Sequence, residues 1–102
     1  MKIAYIAHKI NGDIENNIQK VEAIVSDINT NEPDVVPFAP YLVDLRVLDD
    51  NNATERARGF KNNEEYFKRG FIDELRVYSE VSTGIKREIE WASKAKILIK
   101  FY

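Results

Sequence analysis

Cysteine is missing from this chain of 102 residues, and histidine occurs once, as His8. Without cysteine there is no disulfide, no thiolate metal site and no cysteine nucleophile. One histidine gives no basis for a histidine-rich metal centre, so no metal and no cofactor are expected. An excess of one charge is missing too. Lys and Arg total 15 against 17 Asp and Glu, a formal net charge of -2. That balance supplies no long-range attraction to a DNA or RNA polymer or to an anionic membrane. No apolar run approaches the length of a membrane span. The opening strand-like segment 2–7 is too short for a signal-peptide core. A cytoplasmic location is therefore expected. Neither GxxxxGK[ST] nor GxGxxG occurs. The run Asp49-Asp50-Asn51-Asn52 lacks the ligand spacing and closing glutamate of an EF-hand and reads as a solvated turn.

What is present reads as one domain, residues 1–102, with no repeat, low-complexity tract or linker. A first strand is expected over 2–7, apolar on both faces as in a buried parallel strand. Ile14, Ile18, Val21, Val25 and Ile28 recur at helical spacing, and residues 29–33 are expected to break that helix. A second strand over 34–39 contains Pro37, which points to a sheet edge because proline cannot donate to a ladder. Residues 41–52 read as irregular. A helix over about 53–70 places Ala57, Phe60, Phe67 and Phe71 on one stripe, with Glu64 as a misfit. A strand over 75–79, a helix to about Ala95 and a last strand over 96–101 complete the chain. Strands alternating with helices give an α/β class: a small doubly wound, flavodoxin- or Rossmann-like domain. Its four-stranded parallel sheet carries helices on both faces. Ligands of such sheets bind beyond the carboxyl ends of the strands, where strand order reverses.

Those ends carry the candidate residues. Ser82-Thr83-Gly84 opens the last helix, where free backbone N–H groups and hydroxyls suit a phosphate; equally, Ser82 can simply cap its own helix. Glu88, one turn further on, borders the apolar stripe Ile85, Ile89 and Ala92. A carboxylate at the edge of a dry pocket can act as nucleophile or general acid and base; on a solvated face it does neither. Glu64 or Glu65 can supply a second acid from the middle helix, or be a helix-flank charge. Tyr5 is a pocket-floor hydrogen-bonding group or plain core, and His8 a phosphate or base contact or a loop residue. Asn11, Gly12, Asn17 and Ser79 fall near the same crevice, and Tyr41 is a stacking ring or a packing plug.

With these residues in place, the chain resembles the nucleoside deoxyribosyltransferase-like superfamily, nearest to its small uncharacterised bacterial and phage members. The resemblance runs in order over nearly the whole chain. It comprises Ile3-Ala4-Tyr5-Ile6-Ala7, Asn11-Gly12-Asp13-Ile14-Glu15-Asn16-Asn17-Ile18, Pro37-Phe38-Ala39-Pro40-Tyr41-Leu42 and Leu48-Asp49-Asp50-Asn51-Asn52-Ala53-Thr54-Glu55-Arg56. Asp73-Glu74-Leu75 follows. The last and most specific block runs from Ser82 to Ala92, with a serine six residues before a glutamate. The resemblance implies cleavage or transfer of the N-glycosidic bond of a deoxynucleoside or its 5'-monophosphate. It implies Glu88 as nucleophile, Tyr5 as its orienting partner, and Ser82 at the 5'-phosphate or 5'-hydroxyl. It also implies a homo-oligomer. The chain departs from the pattern in four places, one being the middle helix, where Glu64 or Glu65 replaces the expected acid. His8 and Lys9 stand where relatives carry proline or small residues, Tyr78-Ser79-Glu80 lacks an aspartate, and Glu74 and Arg76 occupy a normally apolar strand. Two other readings remain: a catalytically inactive nucleotide-binding or sequestering module, and a structural interaction domain.

Overall fold

The computed structural model describes residues 1–102. Its elements run β1 (Lys2–Ala7), α1 (Ile14–Asn31), β2 (Val35–Phe38), α2 (Tyr41–Val47), α3 (Ala53–Lys68), β3 (Glu74–Val77), α4 (Thr83–Lys94) and β4 (Leu98–Phe101). All four strands are parallel, in the order β2-β1-β3-β4. The chain moves outward from β1 to β2, then crosses back over β1 to β3. The order therefore reverses between β1 and β3, and the doubly wound α/β class holds. Pro37 sits in β2, at a sheet edge as expected.

Right-handed crossovers put α1 on one face and α2, α3 and α4 on the other. Side chains agree with that division. Tyr5 packs against Phe67 of α3, ring centroids 4.8 Å apart, and against Tyr41 of α2 at 5.9 Å. Phe67 in turn meets Trp91 of α4 at 5.6 Å. Arg76 lies one residue along from Leu75, the partner of Tyr5 in the register, so it points to the opposite face. There its guanidinium grips Glu32 at the end of α1, with Nη1 and Nη2 each donating at 3.0 Å.

That grip explains the charged residues in β3. Glu74 and Arg76 are both buried, at 1% and 3% exposure. Arg76 Nε donates to Glu74 at 3.0 Å, and Lys2 and Lys100 approach the same carboxylate at 2.9 and 3.3 Å. Burial alone would raise the Glu74 pKa. The hydrogen bonds from Lys2, Arg76 and Lys100 outweigh it and hold the carboxyl at about 2. This strand is tolerated because its charges are paired.

Several expected boundaries shift. Helix α1 runs on through Asn29 to Asn31, past the anticipated break, with the Thr30 hydroxyl donating to Ser26 O at 2.9 Å. It stops at Glu32 because the following Pro33 disfavours helical backbone. Tyr41–Val47, expected to be irregular, is helix α2; it lacks a side-chain cap and is seated instead by the Tyr41 hydroxyl, which donates to Ile6 O. In α3 the buried positions are Asn63 and Phe67, while Ala57 is exposed, so the inward stripe lies one residue away from Glu64. The last strand starts at Leu98, not Lys96, because Lys96 takes a positive φ of 58° in closing α4.

Candidate functional site

Three loops meet where the strand order reverses. The β1 loop is held at both ends. Lys9 N donates to Ser79 Oγ at 2.9 Å, tying it to the β3 loop, and Asn17 Nδ2 donates to Ile10 O at 2.9 Å, tying it to α1. Gly12 makes the turn with φ of 99°, a conformation that side chains disfavour. Lys9 and Glu80 form an ion pair across the two loops. The β2 end leads directly into α2 through Pro40 and Tyr41.

Between these loops, α2, α3 and the start of α4 lies a cavity of about 470 Å³, within the usual range for small-molecule sites. Glu88, Ser82, Thr83, Gly84, His8, Asn11 and Tyr41 all line it, so seven of the expected site residues converge there. Ser82 caps α4, its Oγ accepting from Ile85 N at 3.3 Å. His8 Nδ1 donates to Lys9 O at 2.7 Å, which assigns its proton to that nitrogen. The Tyr41 hydroxyl is committed to the backbone of β1, so only its ring serves the cavity. Asn11 bridges two groups in the orientation that its neighbours select. Its amide nitrogen donates to Asp50 Oδ2 at 2.9 Å and its oxygen accepts from Arg56 Nη2 at 3.1 Å.

Glu88 is half-buried, reached from the cavity and otherwise enclosed. Burial raises its pKa to about 7, and the Tyr5 hydroxyl partly offsets this. Tyr5 is fully buried beneath the cavity, and its hydroxyl leans on Glu88 without completing a hydrogen bond to any group. Its own pKa is pushed well up, first by burial and then by Glu88, Tyr41 and Asp44. A carboxyl that titrates near neutrality can exchange a proton or present a carboxylate under ordinary conditions.

Other expected residues lie elsewhere. Gly12, Asn17 and Ser79 do not line the cavity; they shape the loops that do. Glu64 and Glu65 do not line it either. They face along the outside of α3, paired at i,i+4 with Lys68 at 3.7 Å and Arg69 at 2.7 Å. The inward α3 position is Asn63, which lines the cavity with a buried Oδ1 that finds no partner. Asp44 of α2 lines it as well, close enough to act on the Tyr5 hydroxyl. Neither residue stood out in the sequence: Asn63 is hidden beside the misfit Glu64, and Asp44 falls in a helix that was not expected. No group of three or more His, Asp or Glu side chains is gathered to hold a metal ion. No helix is long and apolar enough to cross a membrane.

No curated protein and no solved structure matches the chain. A family model described as a domain of unknown function, DUF7768, matches residues 2–102. Since the match takes in the strands, the loops and every residue of the cavity, the chain belongs to the DUF7768 family.

Proposed function

We propose that the cavity binds a deoxynucleoside or its 5'-monophosphate and cleaves or transfers its N-glycosidic bond through Glu88. The observation that carries this reading is Glu88 itself, a carboxyl with a pKa of about 7 at the wall of a nucleoside-sized cavity behind a helix N-terminus. The resemblance of the Ser82–Ala92 block to nucleoside deoxyribosyltransferase-like enzymes supports the same assignment.

In the proposed reaction the ionised Glu88 attacks the anomeric carbon. An ester bond forms to the sugar as the carbon–nitrogen bond breaks, and the base leaves with the bonding electrons. An acid protonates the departing base, as in retaining glycosidases. Glu64 and Glu65 lie outside, and among the cavity carboxyls Asp44, Asp50, Glu55 and Glu80 we assign that role to Asp44, which acts on the Tyr5 hydroxyl beside Glu88. Water, or a second base, then takes the sugar and releases Glu88. Tyr5 acts as a positioning residue, stabilising the ionised form of Glu88. Ser82, Thr83 and the α4 N-terminus meet the 5' substituent. A copy of the chain completing a homo-oligomer and a cytoplasmic location belong to this proposal.

The test is incubation with the common deoxynucleosides and their 5'-monophosphates, with free base measured by chromatography. Wild type should release base, and Glu88→Ala should lose at least about a thousandfold in rate. Binding without any base release would leave the second reading, a nucleotide-sequestering module. Its support is Tyr78-Ser79-Glu80, which lacks the aspartate that the resemblance to nucleoside deoxyribosyltransferase-like enzymes implies.

A further inference from the structure

The sheet has two edges, and only one is protected. β2 carries Pro37, which cannot donate to a further strand. β4 pairs with β3 on one side alone and carries neither a proline nor a bulge. Lys100 is its only charged residue, and the ammonium turns inward to Glu74 at 3.3 Å. Tyr102 N donates to Val77 O, so by the alternation of a parallel strand Lys100 and Leu98 also face β3. Ile99 and Phe101 therefore point their N–H and C=O groups outward, with no partner in the chain. An open edge of this kind is a template for another strand.

The side chains along that edge are apolar and open. Leu98, Phe101 and Tyr102 are 58%, 65% and 60% exposed. Helix α1 lies over β2 on its face of the sheet, which leaves Leu98 and Tyr102 uncovered. The pattern is also complementary to itself when reversed. A two-fold axis through Ile99 sets Ile99 against Ile99 of a second copy, Ile97 against Phe101, and Leu98 against Lys100. One face of the join is then wholly apolar, and on the other the lysine stem covers a leucine. Moving the axis by one residue, to Lys100, would oppose two ammonium groups, which disfavours that register.

We infer that β4 pairs antiparallel with β4 of a second copy about a two-fold axis at Ile99, joining two four-stranded sheets into one. Pro37 at both outer edges stops the sheet from growing further, so the assembly closes as a dimer. The three exposed side chains present on the order of 300–400 Å² per copy, which places the interface at the small end of specific ones. Association should therefore be reversible, with half the chains paired at about 10–100 μM. No residue of β4 lines the cavity, and the antiparallel join sends the two cavities to opposite ends of the sheet. The dimer stands apart from the nucleoside reading, and either can fail without the other.

The experiment is sedimentation velocity of the full chain at concentrations on either side of that range. The sedimenting mass should rise from one chain to two. Phe101→Lys or Leu98→Lys, both at exposed positions, should weaken association at least about tenfold with Tm unchanged. Val43→Lys, on the exposed face of α2, should leave association as it is. The register is read by single-cysteine variants of this cysteine-free chain. Hydrogen-bonded antiparallel pairs place their Cα atoms about 5.5 Å apart, within reach of a disulfide. Ile99→Cys should therefore oxidise to a covalent dimer, and Ile97→Cys should not. A monomer at every concentration, or a dimer indifferent to both Phe101→Lys and Leu98→Lys, overturns the inference. Cross-linking through Ile97→Cys in place of Ile99→Cys overturns it as well.

Discussion

The Tyr5 hydroxyl lies against the Glu88 carboxyl, fully buried and with no complete hydrogen bond of its own. Two opposed effects meet in that contact. Enclosure raises the Glu88 pKa, and the hydroxyl lowers it part of the way back, to about 7. Neither residue is sequence-adjacent to the other; β1 and α4 are brought together by the sheet crossover between them.

The pH dependence of folding should carry the mark of Glu88. Its folded pKa lies above the unfolded value near 4.5, so its contribution is fully present below that value and is lost as pH rises through about 7. Glu88→Gln should therefore gain stability on wild type between pH 5 and 9, by on the order of 1–3 kcal/mol. Urea unfolding at both pH values checks it; parallel pH curves for the two proteins would count against a raised pKa.

Replacing Tyr5 by Phe removes a buried hydroxyl that has no full partner. Below pH 6, where Glu88 is protonated, the variant should be as stable as wild type or more stable by up to about 1 kcal/mol. The ascending limb of kcat/KM against pH, expected near 7, should move upward because the hydroxyl no longer favours the carboxylate. A limb that stays in place would show that Tyr5 does not tune the reacting group.

On the other face of the sheet, Arg76→Ala should cost about 1–3 kcal/mol, since it takes one of three cations from buried Glu74 and leaves Lys2 and Lys100 in place. Glu74 has a depressed pKa of about 2, so its stabilising effect holds above the unfolded value and fades as pH falls from about 4.5 toward 2. Without Arg76 the folded pKa moves up toward the unfolded value, so that loss should be complete at a higher pH. Acid titration followed by circular dichroism reads the midpoint, and an unchanged midpoint would contradict the pairing.

Ser82 has a structural duty whatever the ligand. Ser82→Ala should lower stability by about 1 kcal/mol through the lost cap, and Ser82→Gly by a few tenths. If Ser82 also meets the 5' substituent, KM rises for both variants by a similar factor. An unchanged KM would confine Ser82 to capping.

The parts of this molecule that are periodic could be read from its sequence, and the parts set by tertiary docking could not. β1 is legible because Ile3–Ala7 is a continuous apolar run with a turn behind it. Pro37 announced an edge strand because its missing N–H has one tolerable place in a sheet. By contrast, α2 spans only Tyr41–Val47 and has no side-chain cap, so its order depends on the Tyr41 anchor to β1. On α3 the aromatic spacing places Phe60 and Phe67 correctly, at the cavity and in the core, but extends to Phe71, which is 38% exposed. The same spacing points to Glu64, whereas the buried position is its neighbour Asn63. Ser82 and Glu88 were found because a helix start after a parallel strand has a fixed place in this topology.

The most direct test of the account is the intact mass of the protein after brief incubation with a deoxynucleoside and rapid acid quench. The account predicts a species heavier by one deoxyribosyl group, mapped by peptide analysis to Glu88 and missing from Glu88→Gln. Base release at the wild-type rate by Glu88→Gln, or an adduct on any other residue, would contradict it.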